Sequence, residues 1–173
     1  MAPGAGYFAG QVNVDDSMKR LTEYIDSVPQ LFKEKSFEEL TSKPLPGKWS
    51  NQQVLGHLVD SAINNLKRFT EIQFLPQPYS IISYQQDELV KVNYYQEMPV
   101  DQLIDLWKTL NRQIIWIVEH IPSAKIEYAV DPKYDDHEMK TLGWVICDYV
   151  THMEHHLKQV TGTEKSVTNT KRS

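Results

Sequence analysis

Asp148-Tyr149-Val150-Thr151-His152-Met153-Glu154-His155-His156 gathers three of the six histidines of this 173-residue chain. Val150, Met153, Leu157 and Val160 recur every three or four residues, the period of an amphipathic helix. On that helix His152 and His156 lie one turn apart on one face. Two imidazoles in this register can converge on one ion if another helix supplies a third ligand. The candidate is His57, in Trp49-Ser50-Asn51-Gln52-Gln53-Val54-Leu55-Gly56-His57-Leu58.

The same helical period appears in three further places. A first helix is predicted from about Ser17 to Lys35, with Leu21, Tyr24, Ile25, Val28, Leu31 and Phe32 inward and a kink or restart at Pro29. A short turn at Ser36–Leu40 and an extended Lys43–Lys48 follow. The second long helix opens on Ser50, with Gln53 placed for a capping box and Trp49 and Val54 for a hydrophobic staple. It carries an apolar stripe (Leu55, Leu58, Val59, Ala62, Leu66, Phe69) and a polar one (His57, Ser61, Asn64, Arg68), with Asp60 at its edge. It stops before Pro76.

Residues 77–96 read as a loop with a short helix near Asp87–Val90. A third long helix is expected from a cap near Asp101 to Ile121, closed by Pro122. Residues 123–140 read as polar turns with no strand series. The fourth helix runs from Thr141 to Gly162, a left-handed C-cap. Four long amphipathic segments predict an all-α four-helix bundle over residues 15–163, with an N-terminal extension (1–14) and a flexible tail (164–173).

Composition narrows the function classes. A net charge of −5 with scattered Lys and Arg gives no footprint for nucleic acid. No apolar run is long enough for a membrane span, and the first residues do not read as a signal peptide. The single cysteine, Cys147, sits in an apolar run and reads as a small buried hydrophobe. The expected setting is cytoplasmic.

Three neutral histidines suit zinc or nickel, with cobalt or iron also in range. Three protein ligands leave a tetrahedral ion one open position, where water or a small thiol could be held and deprotonated. Asp148, one turn before His152, and Asp60, one turn after His57, are candidate acceptors for the histidines' other ring nitrogens. Spacing alone leaves a solvated histidine pair equally open. The metalloprotease pattern His-Glu-x-x-His is absent, since Glu154 follows His152 by two and points elsewhere.

The segments Lys48-Trp49-Ser50, Gly56-His57-Leu58-Val59-Asp60-Ser61 with Asn64 and Arg68, Ser83-Tyr84-Gln85-Gln86-Asp87, and Tyr149 to Leu157 resemble, in order and separation, the DinB/YfiT-like superfamily. The resemblance runs from the first helix to Gly162. It implies a four-helix bundle in which His57, His152 and His156 hold a divalent metal, zinc or nickel. It also implies activity on a small-molecule substrate, as a metal-dependent hydrolase or a thiol S-transferase. Relatives of the latter kind include bacillithiol-dependent transferases and a mycothiol-dependent maleylpyruvate isomerase. Relatives are often homodimers.

Other residues carry plainer readings beside functional ones. Arg68 is either helix surface paired with an acid such as Asp87, or a clamp for a substrate carboxylate. Asn64, Tyr84, Asp87 and Tyr149 could line a pocket, although aromatic residues more often pack. Trp49 and Trp144 are assigned to structure. His155, about 100° around the helix from His156, reads as a neighbour of the site. His120 and His137 read as solvated. The alternative to an enzyme is a non-catalytic metal-binding or dimerisation module on the same bundle.

Overall fold

The computed structural model describes residues 6–133 and 138–162. Its four long helices are α1 (Val14–Lys33), α3 (Asn51–Glu71), α5 (Val100–Glu119) and α7 (Leu142–Thr161). Three short helices lie between them: α2 (Phe37–Thr41), α4 (Gln86–Val92) and α6 (Ser123–Ile126). The expected tail and His137 lie outside the described residues.

The packing order is not the chain order. α1 packs on α5 and α7, and α3 packs on α5 and α7, so α1 stands diagonal to α3 and α5 diagonal to α7. This brings α3 beside α7, the two helices that carry His57 and the histidine pair. The shared core contains Leu21 and Phe32 of α1, Leu55 and Phe69 of α3, Trp107 and Ile114 of α5, and Ile146 and Val150 of α7. Each such side chain taken from water contributes about 1.5–3 kcal/mol.

Local chemistry sets the helix ends. Asn13 caps α1 by accepting from the Asp16 N–H at 3.0 Å, so this helix starts three residues before the expected Ser17. It then runs unbroken through Pro29, whose ring is buried, instead of restarting there. The capping box of α3 forms as predicted, with Gln53 N–H donating to Ser50 Oγ at 3.2 Å and Ser50 N–H to Gln53 Oε1 at 3.1 Å. α5 departs from expectation: it begins at Val100 after Pro99 without a side-chain cap, and Asp101 lies in its first turn. Thr141 caps α7, and Gly162 ends it with φ 70°.

The expectation of turns alone in residues 123–140 is also corrected. β1 (Tyr79–Ser80) pairs parallel with β2 (Ala129–Asp131), which pairs antiparallel with β3 (Lys140–Thr141). Strands of two or three residues are too short to show alternation in sequence. The sheet ties the connection after α3 to the start of α7.

Candidate metal centre

Residues 54–62 of α3 are buried on every side, and the buried polar residues of the helix are Gln52, His57, Asp60, Ser61 and Asn65. His57 is fully buried, while His152 and His156 on α7 keep 8% and 7% of their surface exposed. Their Nε2 atoms converge. His152 Nε2 stands 3.2 Å from His57 Nε2 and 3.0 Å from His156 Nε2. Ligand nitrogens about 2.0–2.1 Å from a tetrahedral ion stand about 3.3 Å from one another. The two separations at His152 are close to that, and all three ligand atoms lie within 4.8 Å of one another.

The donor chemistry fits an ion as well. His152 Nε2 has either one proton or one lone pair, so it can satisfy only one of its two nitrogen neighbours. On the far side of the rings, His156 Nδ1 faces Gln159 Oε1 at 3.3 Å and His152 Nδ1 faces Ser61 Oγ at 3.4 Å. Gln159 Nε2 meets His155 Nε2 at 3.1 Å, which turns its carbonyl toward His156. A proton on Nδ1 of His156 then leaves its Nε2 lone pair free for a cation. His57 Nδ1 is buried with no partner.

Burial pushes His57 down to about 3, with His156 adding to the effect. Burial takes His156 to about 4, partly opposed by the Gln159 bond. His152 is held well below its ordinary value by burial first, then by His156, His57, His155 and Arg68. All three are neutral at pH 7, the form that binds metal.

The two carboxylates expected to orient the histidines have other partners. Asp60 Oδ1 accepts from Tyr95 Oη at 2.7 Å and Asn93 Nδ2 at 3.0 Å, and its Oδ2 is buried without a partner. Tyr95 reaches it because its ring lies across Gly56, where a Cβ would fall 2.2 Å from Tyr95 Cγ. Asp148 Oδ1 accepts from the Phe8 N–H at 2.8 Å. Burial raises both carboxyl pKa values, and these hydrogen bonds lower them in part.

The expected pocket residues divide. Tyr84 is half-buried and hydrogen-bonds Ser61, and burial raises its phenol. Arg68 lies over its ring at 5.8 Å and donates to Asn65 Oδ1 at 3.3 Å and Ile82 O at 3.2 Å. Asn64 spends its amide on the Asp60 carbonyl at 2.8 Å. Asp87 is exposed in the first turn of α4. Tyr149 belongs to the core: it is 2% exposed and donates to Asn111 Oδ1 at 2.5 Å. Glu154 points away from the cluster to Arg20 at 2.5 Å, and Cys147 is buried.

Two aromatic rings at the cluster escaped the sequence reading. Trp49, assigned there to a staple, packs its ring 4.7 Å from His57 and 6.1 Å from His156. Tyr7, placed in the N-terminal extension, lies 4.9 Å from His152 and 5.0 Å from His155. A loop residue brought in by tertiary packing leaves no periodic signal. Trp49 alone offered one, its position directly before the cap of the helix that carries His57.

A helical bundle with a buried, neutral three-histidine cluster at the seam of two helices defines a class of candidate metalloprotein. A family model of the DinB superfamily matches residues 20–160, and the chain belongs to that superfamily. Among solved structures it is similar to YfiT from Bacillus subtilis, described as "a probable metal-dependent hydrolase with an unusual four-helix bundle topology". The two share 19% identity over 90% of this chain and 87% of that chain, with a TM-score of 0.78. At that identity the likeness establishes the bundle fold. No curated protein matches the chain.

Proposed function

We propose that this chain is a divalent-metal-dependent enzyme in which Nε2 of His57, His152 and His156 hold zinc or nickel and a small thiol or water is activated at the open position. The observation that carries this reading is the convergence of three buried, neutral imidazoles at 3.0 and 3.2 Å. An ion held there supplies Lewis acidity that deprotonates a thiol or water near neutral pH.

Thiol transfer is favoured over hydrolysis by the carboxylates. A free thiol ionises near pH 8.5, so coordination alone suffices, whereas a hydrolase gains from a base directed at its water. Here Asp60 accepts from Tyr95 and Asn93, and Asp148 accepts from Phe8. Neither hydrogen-bonds a histidine.

The remaining residues have derivable tasks. Ser61 and Gln159 orient His152 and His156 through Nδ1. Asp60 Oδ2 and His57 Nδ1, both buried and without partners, lie three residues apart on α3, and a buried water between them would satisfy both. Trp49 and Tyr7 keep water from the rings they cover. Arg68, beside Tyr84, binds a carboxylate on the substrate. We assign the chain a small-molecule substrate, a cytoplasmic setting and a homodimeric state. No helix among the described residues is long and apolar enough to cross a membrane.

The test is turnover of zinc- or nickel-loaded protein with a low-molecular-weight thiol and a chloroarene electrophile, beside ester hydrolysis, in wild type and His152→Ala. Metal-dependent conjugation lost in the variant is expected. Hydrolysis without conjugation would move the reading to a hydrolase. Stoichiometric metal with neither activity would favour a non-catalytic ion that staples α3 to α7.

A further inference from the structure

The histidine cluster is closed on two sides by aromatic rings from outside the helices, and the two are anchored differently. Trp49 precedes Ser50, which is fully buried, caps α3 and lies 2.7 Å from Gln96 Oε1, so its backbone is fixed by the helix start. Tyr7 belongs to an irregular segment ahead of α1 and is 46% exposed. Asp148 anchors that segment by accepting from the Phe8 N–H at 2.8 Å, a bond that spans 140 residues of chain, and from the Tyr7 backbone N–H.

Two further features, beside the Asp148 bond, show that this segment is built to lie where it does. Gly6 sits flush on α7, where a Cβ would fall 2.1 Å from Trp144 and 2.8 Å from Asp148 Oδ1. Phe8 packs edge-on against Trp144 at 6.3 Å. Asp148, offered by the sequence as an orienting partner for His152, is occupied by the segment's backbone instead. The exposure left in the cluster belongs to His152 and His156, and His152 is the ring that Tyr7 covers.

We infer that residues 6–8 form a strap across the three-histidine centre, latched by Asp148, and that Tyr7 is the access-determining residue of the site. Opening requires the backbone bonds of Tyr7 and Phe8 to the Asp148 carboxylate to break, Phe8 to leave Trp144 and the Tyr7 ring to leave His152, a local event and not an unfolding of the bundle. With the strap closed, the route to His152 passes Tyr7, so the ring sets the width of thiol or electrophile that reaches the centre. The access role rests on the metal reading above; the strap itself does not.

The test uses the full-length chain in two arms. In the first, metal-free wild type, Tyr7→Ala, Tyr7→Phe and Phe8→Pro are treated with diethyl pyrocarbonate, and modification is followed histidine by histidine by mass spectrometry. Phe8→Pro removes one of the two latching N–H groups and the Phe8 ring from Trp144 while leaving Asp148 intact. Circular dichroism verifies that each variant is folded. His152 should react about tenfold faster in Tyr7→Ala and Phe8→Pro, with His57 unchanged and Tyr7→Phe close to wild type. Equal His152 rates in all four proteins would overturn the strap.

In the second arm the same proteins are loaded with Co²⁺ and the ion is withdrawn by a chromogenic chelator. Release about tenfold faster from Tyr7→Ala and Phe8→Pro is expected. Release at the wild-type rate from both would overturn the access role. Failure of wild type to take up Co²⁺ would count against the metal reading, and the first arm would still decide the strap.

Discussion

Tyr149 and His152 stand one turn apart on α7, and both place polar atoms in the interior, yet the two places differ in kind. The Tyr149 hydroxyl donates to Asn111 Oδ1, and Asn111 Nδ2 donates to the Trp107 carbonyl at 2.8 Å. That pair closes on itself and fastens α7 to α5. Around His152 three nitrogens crowd together at 3.0 and 3.2 Å, and His57 Nδ1 has no partner. A buried polar group that finds its partner within the fold is architecture. At the histidines the Nδ1 atoms of His152 and His156 find Ser61 and Gln159, while the Nε2 atoms are left to one another, the arrangement on which the metal reading rests.

The contrast breaks most readily at the histidines. His152→Ala should reduce metal-dependent turnover to background while the bundle still melts cooperatively, as initial rates and thermal melts would show. Tyr149→Phe should do the opposite, keeping turnover and losing about 1–3 kcal/mol of stability because Asn111 Oδ1 is left unpaired, measured by urea denaturation. Gly56→Ala should cost about 1–3 kcal/mol by overpacking, since its methyl meets the Tyr95 ring. It should also loosen Asp60, so a metal titration of that variant would show weaker binding. Asp60→Asn alone should weaken metal affinity about tenfold, read by competition with a chelator.

A further effect is in pH. His57 and His156 titrate at about 3 and about 4 in the fold, below the unfolded value of 6.5. Below about pH 6.5 the unfolded chain therefore binds more protons than the folded one, and stability falls as pH falls toward those folded values. Thermal melts of the metal-free chain should decline through this window. The same melts of His57→Leu should decline less, and identical slopes would show that His57 is not buried in neutral form.

The helices were legible because their signals are local. Ser50 with Gln53, Gly162 after α7, and the apolar period of each segment announce themselves over a few residues. The histidine cluster was legible in part: the four-residue spacing of His152 and His156 is a helical fact and His57 was the upstream candidate, but spacing left a solvated pair equally open and the family resemblance weighed for the trio. The diagonal packing of α1 against α3 explains why spacing alone could not settle it, since that arrangement is what sets α3 against α7. The partners of Asp60 and Asp148 were not legible. Tyr95 and Phe8 lie 35 and 140 residues away from them and arrive by tertiary packing. The place of Tyr149 was not legible either: its helical face is shared by pocket and core alike, and its bond to Asn111 on another helix arrives only by tertiary packing.

The central claim is that the three Nε2 atoms form one metal site. Elemental analysis of tag-free protein purified without chelator, wild type beside His156→Ala, tests it most directly. The account predicts about one equivalent of zinc or nickel per chain in wild type, as three ligands with one open position require, and none in the variant. Wild type that holds no metal even after reconstitution, or a variant that keeps its full equivalent, would contradict it.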